Sequence, residues 1–98
     1  MSNRIVFFDS ISGIKYPEML VDFFDQFIAL KQLVQDCGTI TVDSYTESSI
    51  SFFISFDDNK NRDKALANVQ TGIINIYGRP ISVQVQPVSE REIKIILQ

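Results

Sequence analysis

The chain of 98 residues has no histidine, one cysteine, three prolines and four glycines, and each shortage removes a class of chemistry. Without histidine, Cys37 has no imidazole to activate it, and neither a Ser/His nor a Cys/His nucleophilic arrangement can be assembled. A structural zinc site needs about four Cys or His ligands, so metal binding of that kind is excluded. A single cysteine cannot close an intramolecular disulfide, which points to a reducing, intracellular compartment, nuclear or cytoplasmic. The glycines at positions 13, 38, 72 and 78 are isolated, so neither phosphate-cradling glycine fingerprint is present. The Met-Ser-Asn-Arg start with the short apolar run Ile5–Phe8 is too brief for a signal peptide or a membrane span, and there is no cluster of basic residues. These absences predict a soluble binding module with no catalytic group, no metal and no cofactor.

What is present is a globular composition, 45% hydrophobic and 21% charged, with eight phenylalanines. The length suits one domain, residues 1–98, with a core over 4–86 and a C-terminal extension over 87–98. The net charge of −3 opposes avid, non-specific binding of nucleic acid, which draws its affinity from many cationic contacts to phosphates.

Periodicity orders the elements. Arg4–Asp9 is a β-branched and aromatic run that reads as a central strand. Pro17 is placed to open a helix, in which Leu20, Phe23, Phe24, Phe27, Leu30, Val34 and Cys37 recur at three- and four-residue steps up to Gly38. Glu18, Asp22 and Asp25 give this helix an acidic, solvated face on which a protein could dock. Two runs then alternate with a period of two. In the first, Ile40 and Val42 lie between Thr41 and Asp43; in the second, Ile50, Phe52, Ile54 and Phe56 lie between Ser51, Phe53 and Ser55. The polar residues 46–48 join them as a hairpin. Asp57, Asp58 and Asn59 cap a shorter helix carrying Ala65, Leu66 and Val69. Ile73–Ile76 is a short extended piece, Tyr77-Gly78-Arg79-Pro80 a turn, and Ile81, Val83 and Val85 the inward side of a last core strand. The tail alternates Ile93, Ile95 and Leu97 with Lys94 and Ile96. The predicted fold is α+β: a ferredoxin-like βαββαβ sandwich, four antiparallel strands with two helices on one face, plus a C-terminal extra strand or tail.

Alternation places Phe53 among hydroxyls on the face away from the helices, with Phe7 beside it if the first strand pairs there, and Tyr45 at the hairpin edge. Here the chain resembles the RNA recognition motif, over roughly Arg4 to Val85. Val6-Phe7-Phe8-Asp9-Ser10-Ile11 is similar to the family's first-strand motif, with Phe7 at the stacking position. Ser49-Ile50-Ser51-Phe52-Phe53-Ile54-Ser55-Phe56 is similar to its eight-residue third-strand motif, with Phe53 at the second aromatic position. Gly78-Arg79-Pro80-Ile81-Ser82-Val83 resembles the closing segment. Ser49 and Ser51 depart from the basic and aromatic residues of that pattern.

The resemblance implies a weak single-stranded RNA-binding module of RNA processing or a ribonucleoprotein complex. Phe7 and Phe53 would stack on bases, Tyr45, Ser51, Gln84 and Gln86 would shape the surface, and Arg4 or Lys94 would lie near phosphates. The alternative is a protein-interaction module of the same fold that has lost RNA binding and docks a partner through its helical face or its tail. The strip of Ile93, Ile95 and Leu97 is also suited to cover the face carrying Phe7 and Phe53, which leaves the face either open or capped.

Overall fold

The computed structural model describes residues 3–5, 18–46, 48–76 and 78–98. The elements follow in the order β1 (Asn3–Ile5), α1 (Glu18–Gln26), α2 (Ile28–Cys37), β2 (Gly38–Tyr45), β3 (Ile50–Phe56), α3 (Asn59–Asn68), β4 (Gly72–Ile76), β5 (Arg79–Ser89) and β6 (Glu92–Leu97). This is a mixed α+β chain with one antiparallel sheet, whose strand order is β1-β2-β3-β6-β5-β4.

The sheet corrects the sequence expectation in two respects. Among the described residues six strands stand where four plus a C-terminal extra strand or tail were expected, the extra strand being β6, and the first strand is not central: β1 pairs with β2 at one margin, Ile5 opposite Ile40. The slot between β3 and β5 belongs to β6. The tail is thus neither a flap over the sheet nor a loose extension. The reason is the hydrophobic content of Ile93, Ile95 and Leu97, all fully buried on the helical side, which a short marginal strand could not match. They lie opposite Ile54, Phe52 and Ile50 of β3, while Leu97 and Ile95 also oppose Val83 and Val85 of β5.

The alternation anticipated for β3 is observed: Ile50, Phe52, Ile54 and Phe56 are buried and the residues between them only partly so. Helices roof this face. Phe23 and Phe24 of α1 meet edge-on at 5.2 Å between ring centroids, and both contact Phe52, at 5.8 and 5.9 Å, so three phenylalanines form the centre of the core. Leu30 and Val34 of α2 and Ala65 of α3 complete it.

One helix was expected across 17–37, and two are found. The backbone leaves helical geometry at Phe27 (φ −118°, ψ 69°), with no proline or glycine to mark the place. Tertiary contacts accompany the break: the Phe27 ring packs 4.9 Å from that of Phe23, and the Gln26 side-chain amide donates to the carbonyl of Asn75 in β4. At the end of α2, Gly38 is required by close approach and not by its extended backbone (φ −132°): a Cβ there would lie 3.1 Å from the Phe56 ring and 3.2 Å from Val34 Cα. Asp58 caps α3 as expected, its carboxylate accepting from the Asn61 N–H at 2.8 Å. The β4–β5 hairpin turns between Ile76 and Arg79, where Gly78 has φ +75°.

If β6 is integral to the core, Ile95→Ala should destabilise the fold by about 2–5 kcal/mol in urea denaturation. Ile96→Ala, on the opposite side of the same strand, should cost less than about 1 kcal/mol. Equal costs would remove β6 from the core.

Candidate functional site

The face of the sheet opposite the helices is where most of the sequence-selected residues meet. Strand register sets them in rows. One row runs Arg4, Thr41, Phe53, Lys94, Gln86 across β1, β2, β3, β6 and β5. The next runs Ser44, Ser51, Ile96, Gln84. Phe53, Ser51, Gln84 and Gln86 therefore share one surface, as anticipated. Of Arg4 only the backbone position is described, and Phe7 lies outside the described residues.

Tyr45 does not join them. The β2–β3 register shifts between Val42 and Ser44, so that Ser44 faces Ser51 and Tyr45 faces the inward Ile50. One inserted residue, Asp43, reverses the parity of everything after it. Tyr45 stays 63% exposed at the rim of the hairpin, away from Phe53.

Asp43 then becomes the centre of a small polar network. Its Oδ2 accepts a hydrogen bond from Ser51 Oγ at 3.1 Å and lies 4.0 Å from Lys94 Nζ, while Ser44 Oγ is 3.1 Å from Ser51 Oγ. Lys94 Nζ also sits 5.4 Å from the centroid of the Phe53 ring. At partly exposed positions such a cation–ring contact and such an ion pair each contribute up to about 1 kcal/mol, so they organise the surface more than they stabilise the fold. Farther along, Ser55 Oγ donates to Glu92 Oε2 at 2.6 Å. Among the residues of this face whose side chains are described, Lys94 is the one cation, set against Asp43 and Glu92, and Arg4 shares its row by backbone register.

Searches of protein-family models, curated proteins and solved structures return no match to this chain. The face must be read from its own residues. Sequence reasoning found Phe53 and its neighbours by parity alone. It missed the role of Asp43 because a bulge has no local signature, although an aspartate inside a strand is unusual enough to have marked the place.

A concavity of about 300 Å³, open to solvent, lies at the α2–β2 junction and is lined in part by Asp36, Cys37, Thr39, Ser55 and Asp57. Its thiol is a poor nucleophile. Burial, then the carboxylates of Asp57, Asp36 and Asp58, push the Cys37 pKa up, and the Sγ–H donates to the Leu33 carbonyl at 3.2 Å. Among the described residues no three His, Cys, Asp or Glu side chains are grouped to hold a metal, and no helix is long and apolar enough to cross a membrane. On the helical side Asp25 is paired with Lys31 at 3.0 Å, which uses part of the acidic face expected there.

Because the raised pKa lowers the thiolate fraction, alkylation of Cys37 by iodoacetamide near neutral pH should be several-fold slower in the folded chain than in urea. Asp57→Asn should quicken it. A folded-state rate equal to the unfolded one would contradict the assignment.

Proposed function

We propose that the chain is a non-catalytic interaction module that binds a protein partner on the open face of its sheet, with Phe53 as the aromatic anchor. The arrangement β2-β3-β6-β5 keeps the antiparallel order of the expected ferredoxin-like sheet, with the last strand in the slot of the first. That exchange bears directly on the RNA reading. Base stacking by the resemblance requires a second ring beside Phe53, and the residue directly across from Phe53 in β6 is Lys94.

This juxtaposition carries the proposal. Lys94 lies between the Asp43 carboxylate and the Phe53 ring, so the described residues of the face offer one ring partly covered by a cation and a cation already facing a carboxylate. Stacked bases and phosphates both lose their natural contacts. A protein surface fits better. An aromatic anchor surrounded by Thr, Ser and Gln hydrogen-bonding groups, with little net charge at the centre, has the composition of an interface core and rim.

An amide-shift titration with a pool of short single-stranded RNAs at low salt should give no saturable shifts at Thr41, Ser51, Phe53, Gln84 or Lys94. Immobilised chain should retain a partner from nuclease-treated extract, and Phe53→Thr should weaken that retention by at least about tenfold. Saturable RNA-dependent shifts centred on Phe53 and Lys94 would replace the protein reading with the RNA one.

A further inference from the structure

We propose that the chain associates with a second copy of itself through β4, the two strands pairing antiparallel across a two-fold axis at Ile73. Register puts the Ile73 side chain on the same face of the sheet as Lys94 but two strands away, at the margin, and the inference concerns pairing along that margin, so it is tested separately from the proposed function.

Among the described residues β4 is the last strand of the sheet and pairs with β5 alone. Its five pairs run without a bulge, from Gly72 opposite Val83 to Ile76 opposite Arg79. Strand margins are ordinarily protected by charge, proline or irregularity, and Gly72-Ile73-Ile74-Asn75-Ile76 has none of these. No charged residue occurs anywhere between Lys64 and Arg79. Ile73 is 75% exposed, the most exposed large apolar side chain among the described residues.

The backbone is oriented to accept a strand. Ile76 and Arg79 close a two-residue turn, which makes them a hydrogen-bonded pair, and alternation then turns Ile74 toward β5 and Ile73 and Asn75 toward the open side. The Asn75 carbonyl bears this out: it takes its hydrogen bond from Gln26, and the residue opposite Asn75 is Pro80, which has no N–H to give. Gln26 takes only the Asn75 end of the margin, and none of the described residues hydrogen-bonds the outward N–H and carbonyl of Ile73.

A second copy fits this margin for two reasons. Outward residues must oppose outward residues, and a two-fold axis at Ile73 sets Ile73 against itself, exchanging two backbone hydrogen bonds, with Asn75 opposite Thr71 of the other copy. The two Ile73 side chains then lie together on one face and shield each other. Charge gives the second reason. Each copy carries −3, so association is opposed at acidic surfaces, whereas the neutral stretch around β4 lets like molecules meet without repulsion. A charged peptide would find no complementary charge there. The contact is small, which places the dimer in the weak class.

Sedimentation equilibrium of the wild-type chain from about 10 μM to about 1 mM should show the average mass rising toward twice that of the monomer. Ile73→Lys and Ile73→Glu, both at an exposed site and checked for folding by circular dichroism, should each remain monomeric. Their equimolar mixture should associate, because opposite charges then face each other across the former axis. A wild-type chain monomeric throughout, either variant associating alone as well as wild type, or a mixture that stays monomeric would each overturn the proposal.

Discussion

The structure depends on the seating of β6 between β3 and β5. Every second residue of that strand is a large aliphatic group, and each lies opposite another apolar residue: Ile93 by Ile54, Ile95 by Phe52 and Val85, Leu97 by Ile50 and Val83. Without it the sheet would divide into β1-β2-β3 and β5-β4, each exposing an unpaired margin beneath the helices. With it, one continuous apolar face is presented to α1, α2 and α3, and the Phe23, Phe24 and Phe52 rings close over its middle. Arg62 of α3 reinforces the same region, its Nη1 donating at 2.7 Å to the carbonyl of Ser89, the last residue of β5.

The same seating shapes the opposite face, because a strand with a period of two cannot bury Ile93 and Ile95 without presenting Lys94 on the other side. Lys94 emerges directly across from Phe53, where Asp43 of the bulged strand β2 reaches it. Core formation and surface chemistry are coupled here through a single strand. Among the described residues, the centre of the face becomes a field of hydroxyls and amides around one aromatic ring, with Lys94 set against Asp43.

Local patterns carried much of this in the sequence, and non-local pairing did not. The period-two runs of 50–56 and 93–97, the Asp58 cap, the helical stripe from Leu20 to Val34 and the grouping of Phe53 with Ser51, Gln84 and Gln86 all follow from spacing and side-chain type. Strand neighbours are different, since both the N-terminal run and the tail are apolar enough for the central slot, and only the packing of the whole chain decides between them. Tyr45 was misplaced by one bulge residue, which inverts facing without altering the alternation visible in the sequence. The helix break at Phe27 arises from contacts with Phe23 and with β4, which lie outside any local window.

A strand enclosed on both sides has its amides hydrogen-bonded to two neighbours and is released only when the domain unfolds. Native-state hydrogen exchange resolved by residue therefore addresses the central claim most directly. Amides of Ile93, Ile95 and Leu97 should exchange with the same high free energy as those of Phe52 and Ile54, close to that of global unfolding. Exchange at 92–97 through a much lower-energy opening, with 50–56 still protected, would contradict the seating of β6 on which the core and the Lys94–Phe53 face both rest.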